Sequence, residues 1–275
     1  MEQELRELEV LHNPDQRSQV NNTEAVPFRF ICHLEVRAVD TTNTTIVKKS
    51  VATGVLVGPR HVLAAGHTLL ADKGRLKITD AWVSPGMNGS SQPFGRVHGA
   101  TFRTHPDWFR NGVENSDCDY GMIILDDAIG ERRFKSLGNA PLGWWGDQVN
   151  GGGTKLQRLD PAALNNATVN VAGYPDDQPA GTMWKSSGQA APLRDSQGRI
   201  STMARRLPHN ADTHASQSGS PVWIGNVDTN PRYLVGLHHG AIDLVFTRGT
   251  TRQKQRSNVA ILATRDFLQQ ITDWK

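Results

Sequence analysis

The chain has 275 residues, 37% of them hydrophobic and 21% charged, with 26 Gly, 14 Pro and two Cys. Such a length carries one large domain or two small ones with real cores, and no stretch approaches the roughly 20 consecutive apolar residues of a membrane span. Thirty basic against 27 acidic side chains leave no dense run to mark a nucleic-acid footprint, and the distant Cys32 and Cys118 build neither a disulfide scaffold nor a multi-cysteine zinc module.

Residues 1–9 are acidic and could form a short helix, but they lack the basic start, apolar stretch and small-residue cleavage site of a secretory signal. Residues 10–26 read as an N-terminal arm. From about residue 27 the chain becomes short extended runs cut by Gly, Pro, Asn and Asp. Phe28 to Val36, Val51 to Val57, Leu76 to Val83 and Gly121 to Leu125 fall in a first unit, 27–130. Val169 to Ala172, Pro221 to Ile224, Tyr233 to Leu237 and Ile242 to Phe246 fall in a second, 169–263. Their Val, Ile and aromatic content, with no long helical pattern between them, predicts an all-β sandwich or barrel. Between the units, 131–168 reads as a flexible connector. Its Gly151-Gly152-Gly153-Thr154-Lys155 lacks the spacing and the strand-to-helix setting of a phosphate loop. Arg248, Arg252, Lys254 and Arg256 read as a solvated loop. A helix over 264–275 is expected, since Thr264 can cap a segment whose Phe267, Leu268, Ile271 and Trp274 share one face.

The chemistry concentrates in Ser216-Gln217-Ser218-Gly219-Ser220-Pro221. A nucleophilic serine needs an exposed hydroxyl on a tight turn with backbone N–H groups facing the developing oxyanion, and small residues permit that. Ser218 fits this demand. His67, where Val62-Leu63-Ala64-Ala65-Gly66 ends in small residues, is the candidate base; His61, at the start of that strand, is expected to face solvent. Asp119, opening Asp119-Tyr120-Gly121, is the candidate carboxylate, with Asp117 as its rival. The order His67, Asp119, Ser218 is that of the chymotrypsin-type triad, a known template, and differs from the subtilisin and α/β-hydrolase orders. With the all-β reading it predicts two six-stranded antiparallel β-barrels of the trypsin/chymotrypsin type, closed by the C-terminal helix.

The sequence also resembles the bacterial glutamyl endopeptidases. The match rests on Ala64-Ala65-Gly66-His67, Ser84-Pro85-Gly86-Met87-Asn88-Gly89 with Pro93-Phe94-Gly95, Asp119-Tyr120-Gly121, and Gly173-Tyr174-Pro175-Asp176-Asp177 with Gly181-Thr182-Met183-Trp184. Asp212-Thr213 before Gln217-Ser218-Gly219-Ser220-Pro221-Val222, and the terminal Thr272-Asp273-Trp274-Lys275, complete it. The resemblance implies the same triad. It further implies a pocket for a Glu side chain before the scissile bond, formed by Thr213, His238 and the α-amino group of the processed chain at Val10 or Leu11. Residues 1–9 then become a pro-segment, released by cutting after Glu9. The His238-His239 pair could suggest a metal, but neither a HExxH helix nor cysteine partners accompany it, so no metal and no cofactor are expected.

Two positions depart from the family pattern. Ser216 stands where glycine usually contributes one oxyanion-hole N–H beside that of Ser218, and Thr68 stands where many relatives carry a paired cysteine. Protein or peptide substrates and a monomer are expected, with no nucleic-acid or membrane partner. Secretion is what the resemblance implies. The missing signal pattern and Thr68 keep a cytoplasmic location as the alternative. A latent or non-catalytic binding protein on the same fold is the alternative function, motivated by Ser216 and the untrimmed start.

Overall fold

The computed structural model describes residues 10–195, 197–225, 231–248 and 251–275, with side chains left undescribed over 245–253. The expected pro-segment, 1–9, lies outside them. Six strands build the first barrel: β1 (Ile31–Asp40), β2 (Val47–Gly58), β3 (His61–Ala65), β4 (Leu76–Pro85), β5 (Val97–Thr104) and β6 (Tyr120–Leu125). They pair antiparallel in the cyclic order β1-β2-β3-β6-β5-β4, with β4 returning to β1. Along β4, Leu76 and Ile78 and then Ala81 and Val83 are buried while Lys77, Thr79 and Trp82 point outward, a two-residue period that changes face at the register shift near Asp80. All five residues of β3 are buried.

The second unit comprises β7 (Thr168–Gly173), β8 (Trp184–Gln189), β9 (Arg206–His209), β10 (Pro221–Ile224), β11 (Arg232–Arg248) and β12 (Thr251–Leu262). Its order, β8-β7-β10-β11-β12-β9, is that of the first barrel, and a bridge between Ala190 and His209 joins its two ends. The main apolar cluster crosses from the first barrel to Trp223, Leu234, Leu237 and Ile261 of the second, while a smaller cluster around Val171, Leu207, Val222 and Val235 fills the second barrel. One shared core therefore fixes how the barrels face each other.

The last helix, Arg265–Trp274, is capped by Thr264, whose Oγ1 accepts from Phe267 N at 3.2 Å. It lays Phe267 and Trp274 against Tyr120, with ring centroids 4.7 and 5.8 Å away. At the other end the arm is tied down. Ser18–Gln19 adds a short strand to β8, and the buried Arg17 guanidinium bonds both Asp15 and Asp177.

Several expectations need correction. Phe28–Phe30 is a 3-10 turn, so that strand starts at Ile31. The runs at Tyr233 and Ile242 belong to one 17-residue strand, β11. Its continuation pairs with β12, which puts Arg248, Arg252, Lys254 and Arg256 in a β-ribbon rather than a loop. The connector is pinned, with Trp145 fully buried, Thr154–Lys155 paired to Arg232 and Tyr233, and Gly151 too close to the Asp147 carbonyl to carry a side chain. The strands β5, β8, β9 and β12 went unread because sequences such as Trp184-Lys185-Ser186-Ser187-Gly188-Gln189 are polar and carry little intrinsic strand signal. Their pairing with neighbouring strands decides them.

Candidate active site

His67 lies in the short helix Gly66–Leu69 that directly follows β3, and Asp119 lies directly before β6. Because β3 and β6 pair with Ala65 opposite Tyr120, the two side chains meet at one end of the ladder. His67 Nδ1 stands 2.7 Å from Asp119 Oδ2, and the His67 backbone N–H donates to Oδ1 at 2.7 Å. Gly66 permits this approach, since a Cβ there would sit 2.9 Å from Asp119 Oδ1. The Asp119 side chain is 2% exposed and that of His67 29%. Burial pushes the Asp119 carboxyl upward, but the His67 imidazole and the hydrogen bonds from His239 and His67 outweigh it and hold the group below the usual carboxylate range. Asp119 is therefore an ionised acceptor, which requires the proton of His67 on Nδ1 and leaves Nε2 available as a base.

The rivals stand elsewhere. Asp117 pairs with Arg206 at 2.7 Å. His61, expected to face solvent, is buried with Gly58 packed against its ring, because the start of β3 is covered on both faces.

Ser218 precedes β10, and Thr53 of the first barrel fastens its loop. The Thr53 N–H donates to Ser218 O at 3.1 Å, and its hydroxyl donates to Ser216 O at 3.0 Å. Gly219 backs onto Thr53 and Ala65, two residues before His67; a Cβ there would lie 2.1 Å from the Thr53 carbonyl and 3.2 Å from Ala65 N. The Ser218 loop thus sits against the end of β3 that leads into His67. Ser216 adopts φ 71°, the left-handed conformation that glycine would take without strain. Asp176 N donates to Ala215 O at 3.1 Å, so the trans Ala215–Ser216 peptide turns the Ser216 N–H to the opposite side.

Of the predicted pocket residues, Thr213 and Val10 come together. Thr213 is fully buried, and its Oγ1 has no hydrogen-bond partner. Its N–H donates to Val10 O at 3.4 Å, while Val10 N donates to Oδ1 of the buried Asn258 at 2.8 Å. His238 is fully buried and packs edge-on to His209, with ring centroids 5.6 Å apart. Next to Thr213, the buried Asp212 carboxylate accepts from the N–H groups of His12 and Gln16, each at 2.8 Å, and contacts the His12 ring. Leu11, the alternative chain start, is 37% exposed.

Sequence reasoning missed Thr53, His209, Asp212 and Asn258 as parts of the site. It also missed His239, whose Nδ1 lies 2.9 Å from Asp119 Oδ2. None of these carried a signal in the sequence, because each depends on strand register or on a contact distant along the chain.

No family model matches the chain. A glutamyl endopeptidase of Bacillus licheniformis is 32% identical over 209 residues, covering 76% of this chain and 53% of that protein. An extracellular metalloprotease of Bacillus subtilis is 29% identical over 225 residues, covering 82% of this chain and 60% of that protein. The chain thus spans between half and two-thirds of the length of these two relatives. Among solved structures, a Glu endopeptidase in complex with MPD shares 22% identity and superposes with TM-score 0.66, covering 96% of this chain and 98% of that one. The two-barrel fold is the chymotrypsin-like one. Over about three quarters of its length the chain is similar to glutamyl endopeptidases.

Proposed function

We propose that this protein hydrolyses peptide bonds after Glu, and Asp less well, through Ser218, His67 and Asp119. Ser218 Oγ attacks the carbonyl while His67 Nε2 takes its proton. His67 then returns that proton to the leaving amine, and water releases the acyl-enzyme by the same route. Asp119 holds the imidazole tautomer. The N–H groups of Ser216 and Ser218 receive the oxyanion. The left-handed Ser216 and the engaged Ala215 carbonyl support that role and weigh against a latent binding protein.

The observation that carries the specificity is the buried, unpartnered Thr213 hydroxyl beside the arm at Val10. A buried polar atom without a partner costs about 1–3 kcal/mol, a cost a bound carboxylate would remove. An imidazolium at His238 and a free amine at Val10 would supply the positive charge a desolvated Glu needs. The bond before Val10 follows Glu9, so the enzyme's own specificity suits its processing, and the contact of Val10 with Asn258 favours Val10 over Leu11 as the new terminus. Peptides differing only in Glu, Asp, Gln or Lys before the cut test this, using chains that start at Met1 and at Val10. Glu should be preferred and the trimmed chain faster. A preference for Lys, or equal rates for Glu and Gln, overturns the pocket, and cleavage that survives Ser218→Ala overturns the mechanism.

A further inference from the structure

We propose that His239 is a positioning residue of the triad, donating its Nδ1–H to the same Asp119 oxygen that holds His67, so that one carboxylate orients two imidazoles. The inference rests on the serine-peptidase reading and adds a member to its machinery.

Three observations carry it. The two Nδ1 atoms lie 2.7 Å (His67) and 2.9 Å (His239) from Asp119 Oδ2, with the His239 side chain 14% exposed. These are hydrogen-bond separations; ligands around a tetrahedral zinc ion with bonds near 2.1 Å stand roughly 3.4 Å apart. Second, β11 is bulged at this point. His238 pairs with Ala260 and Gly240 with Val259, which leaves His239 as the extra residue, and Gly240 takes φ 143° to close the bulge. Bulges re-aim side chains, and this one aims His239 at Asp119. Third, among the described residues His239 Nε2 is buried without a hydrogen-bond partner, so the bond to Asp119 is the ring's polar anchor.

An ionised carboxylate only accepts, so both Nδ1 atoms must carry protons. Asp119 then receives the His67 N–H on Oδ1 and two imidazole N–H groups on Oδ2, which prevents the carboxylate from turning within its site. The rings of His67 and His239 stand 6.5 Å apart between centroids, tilted by 58°, so neither displaces the other.

The test has one arm without turnover and one with it. In the full-length protein carrying 15N-histidine, NMR should show both His67 and His239 as Nδ1–H tautomers; an Nε2–H tautomer for His239 overturns the proposal even if the protein cleaves nothing. In the kinetic arm, His239→Leu should lower kcat about tenfold with KM and the preference for Glu over Gln unchanged, and shift the His67 Nδ1–H resonance. His239→Asn, which keeps a donor in the place of Nδ1, should recover kcat to within about threefold. Equal losses in both variants, a change confined to KM, or an unmoved His67 resonance would overturn it. Should the leucine variant not fold, the wild-type tautomers and the asparagine variant still decide.

Discussion

Two buried polar groups, Asp119 and Thr213, are treated in opposite ways. The carboxylate of Asp119 takes three N–H donors, one from the His67 backbone and two from imidazoles. The hydroxyl of Thr213, equally buried, has no partner. Burying polar groups costs free energy in proportion to what is left unsatisfied. A saturated group is committed to holding its neighbours in place, whereas an unsatisfied one is poised for a ligand. The first pattern suits the positioning of a base and the second the recognition of a substrate side chain.

The largest expected effect falls on the saturated side. Asp119→Asn should lower kcat about ten-thousandfold, because the amide favours the wrong imidazole tautomer. Burst titration of active sites would separate this from loss of folded protein. A loss of less than tenfold would remove Asp119 from the mechanism. On the unsatisfied side, Thr213→Val should reduce the preference for Glu over Gln by about ten- to a hundredfold, the worth of a hydrogen bond to a charged group, while leaving thermal stability unchanged or slightly improved. A fall in stability with no change in preference would make Thr213 a structural residue.

A third expectation concerns pH. Burial, reinforced by the neighbouring His238, pushes the pKa of His209 well below the ordinary histidine value, and burial pushes His33 and His61 the same way. The unfolded chain then binds protons that the folded one refuses, so stability is full above about pH 6.5 and declines as pH falls below it. Thermal unfolding measured between about pH 8 and 5 should show this decline, and His209→Gln should flatten part of it. The smallest effect is expected at the oxyanion turn. Ser216→Gly relieves a left-handed backbone at a cost in unfolded-chain entropy, for a net gain of about 1 kcal/mol and a Tm higher by roughly 2–4 °C. A lower kcat in that variant would mean that the serine hydroxyl itself takes part.

The two barrels differ in how much of them could be read. In the first, the runs at Val51, Leu76 and Gly121 are rich in apolar and β-branched residues and match strands directly. In the second, β8, most of β9 and the first eight residues of β12 are polar and carry little strand signal, so pairing to their neighbours decides them. The connector was misread for a related reason. Its glycines look flexible, yet the close approach of Gly151 to Asp147 and of Gly152 to Val26 shows that they are there for packing. No bridge staples the first barrel. Cys32 and Cys118 are free and both are buried.

By itself the sequence determined the all-β class and singled out the three residues of the proposed triad. Small residues crowd a nucleophile and an acidic residue opens an apolar strand, and those are local demands written in consecutive positions. Tertiary structure alone decided how those positions are held. Thr53 ties down the Ser218 loop, Asn258 and Asp212 receive the arm, and a one-residue bulge turns His239 toward Asp119. Each of these contacts joins residues more than a hundred positions apart or depends on strand register, and neither is encoded in any short stretch of chain.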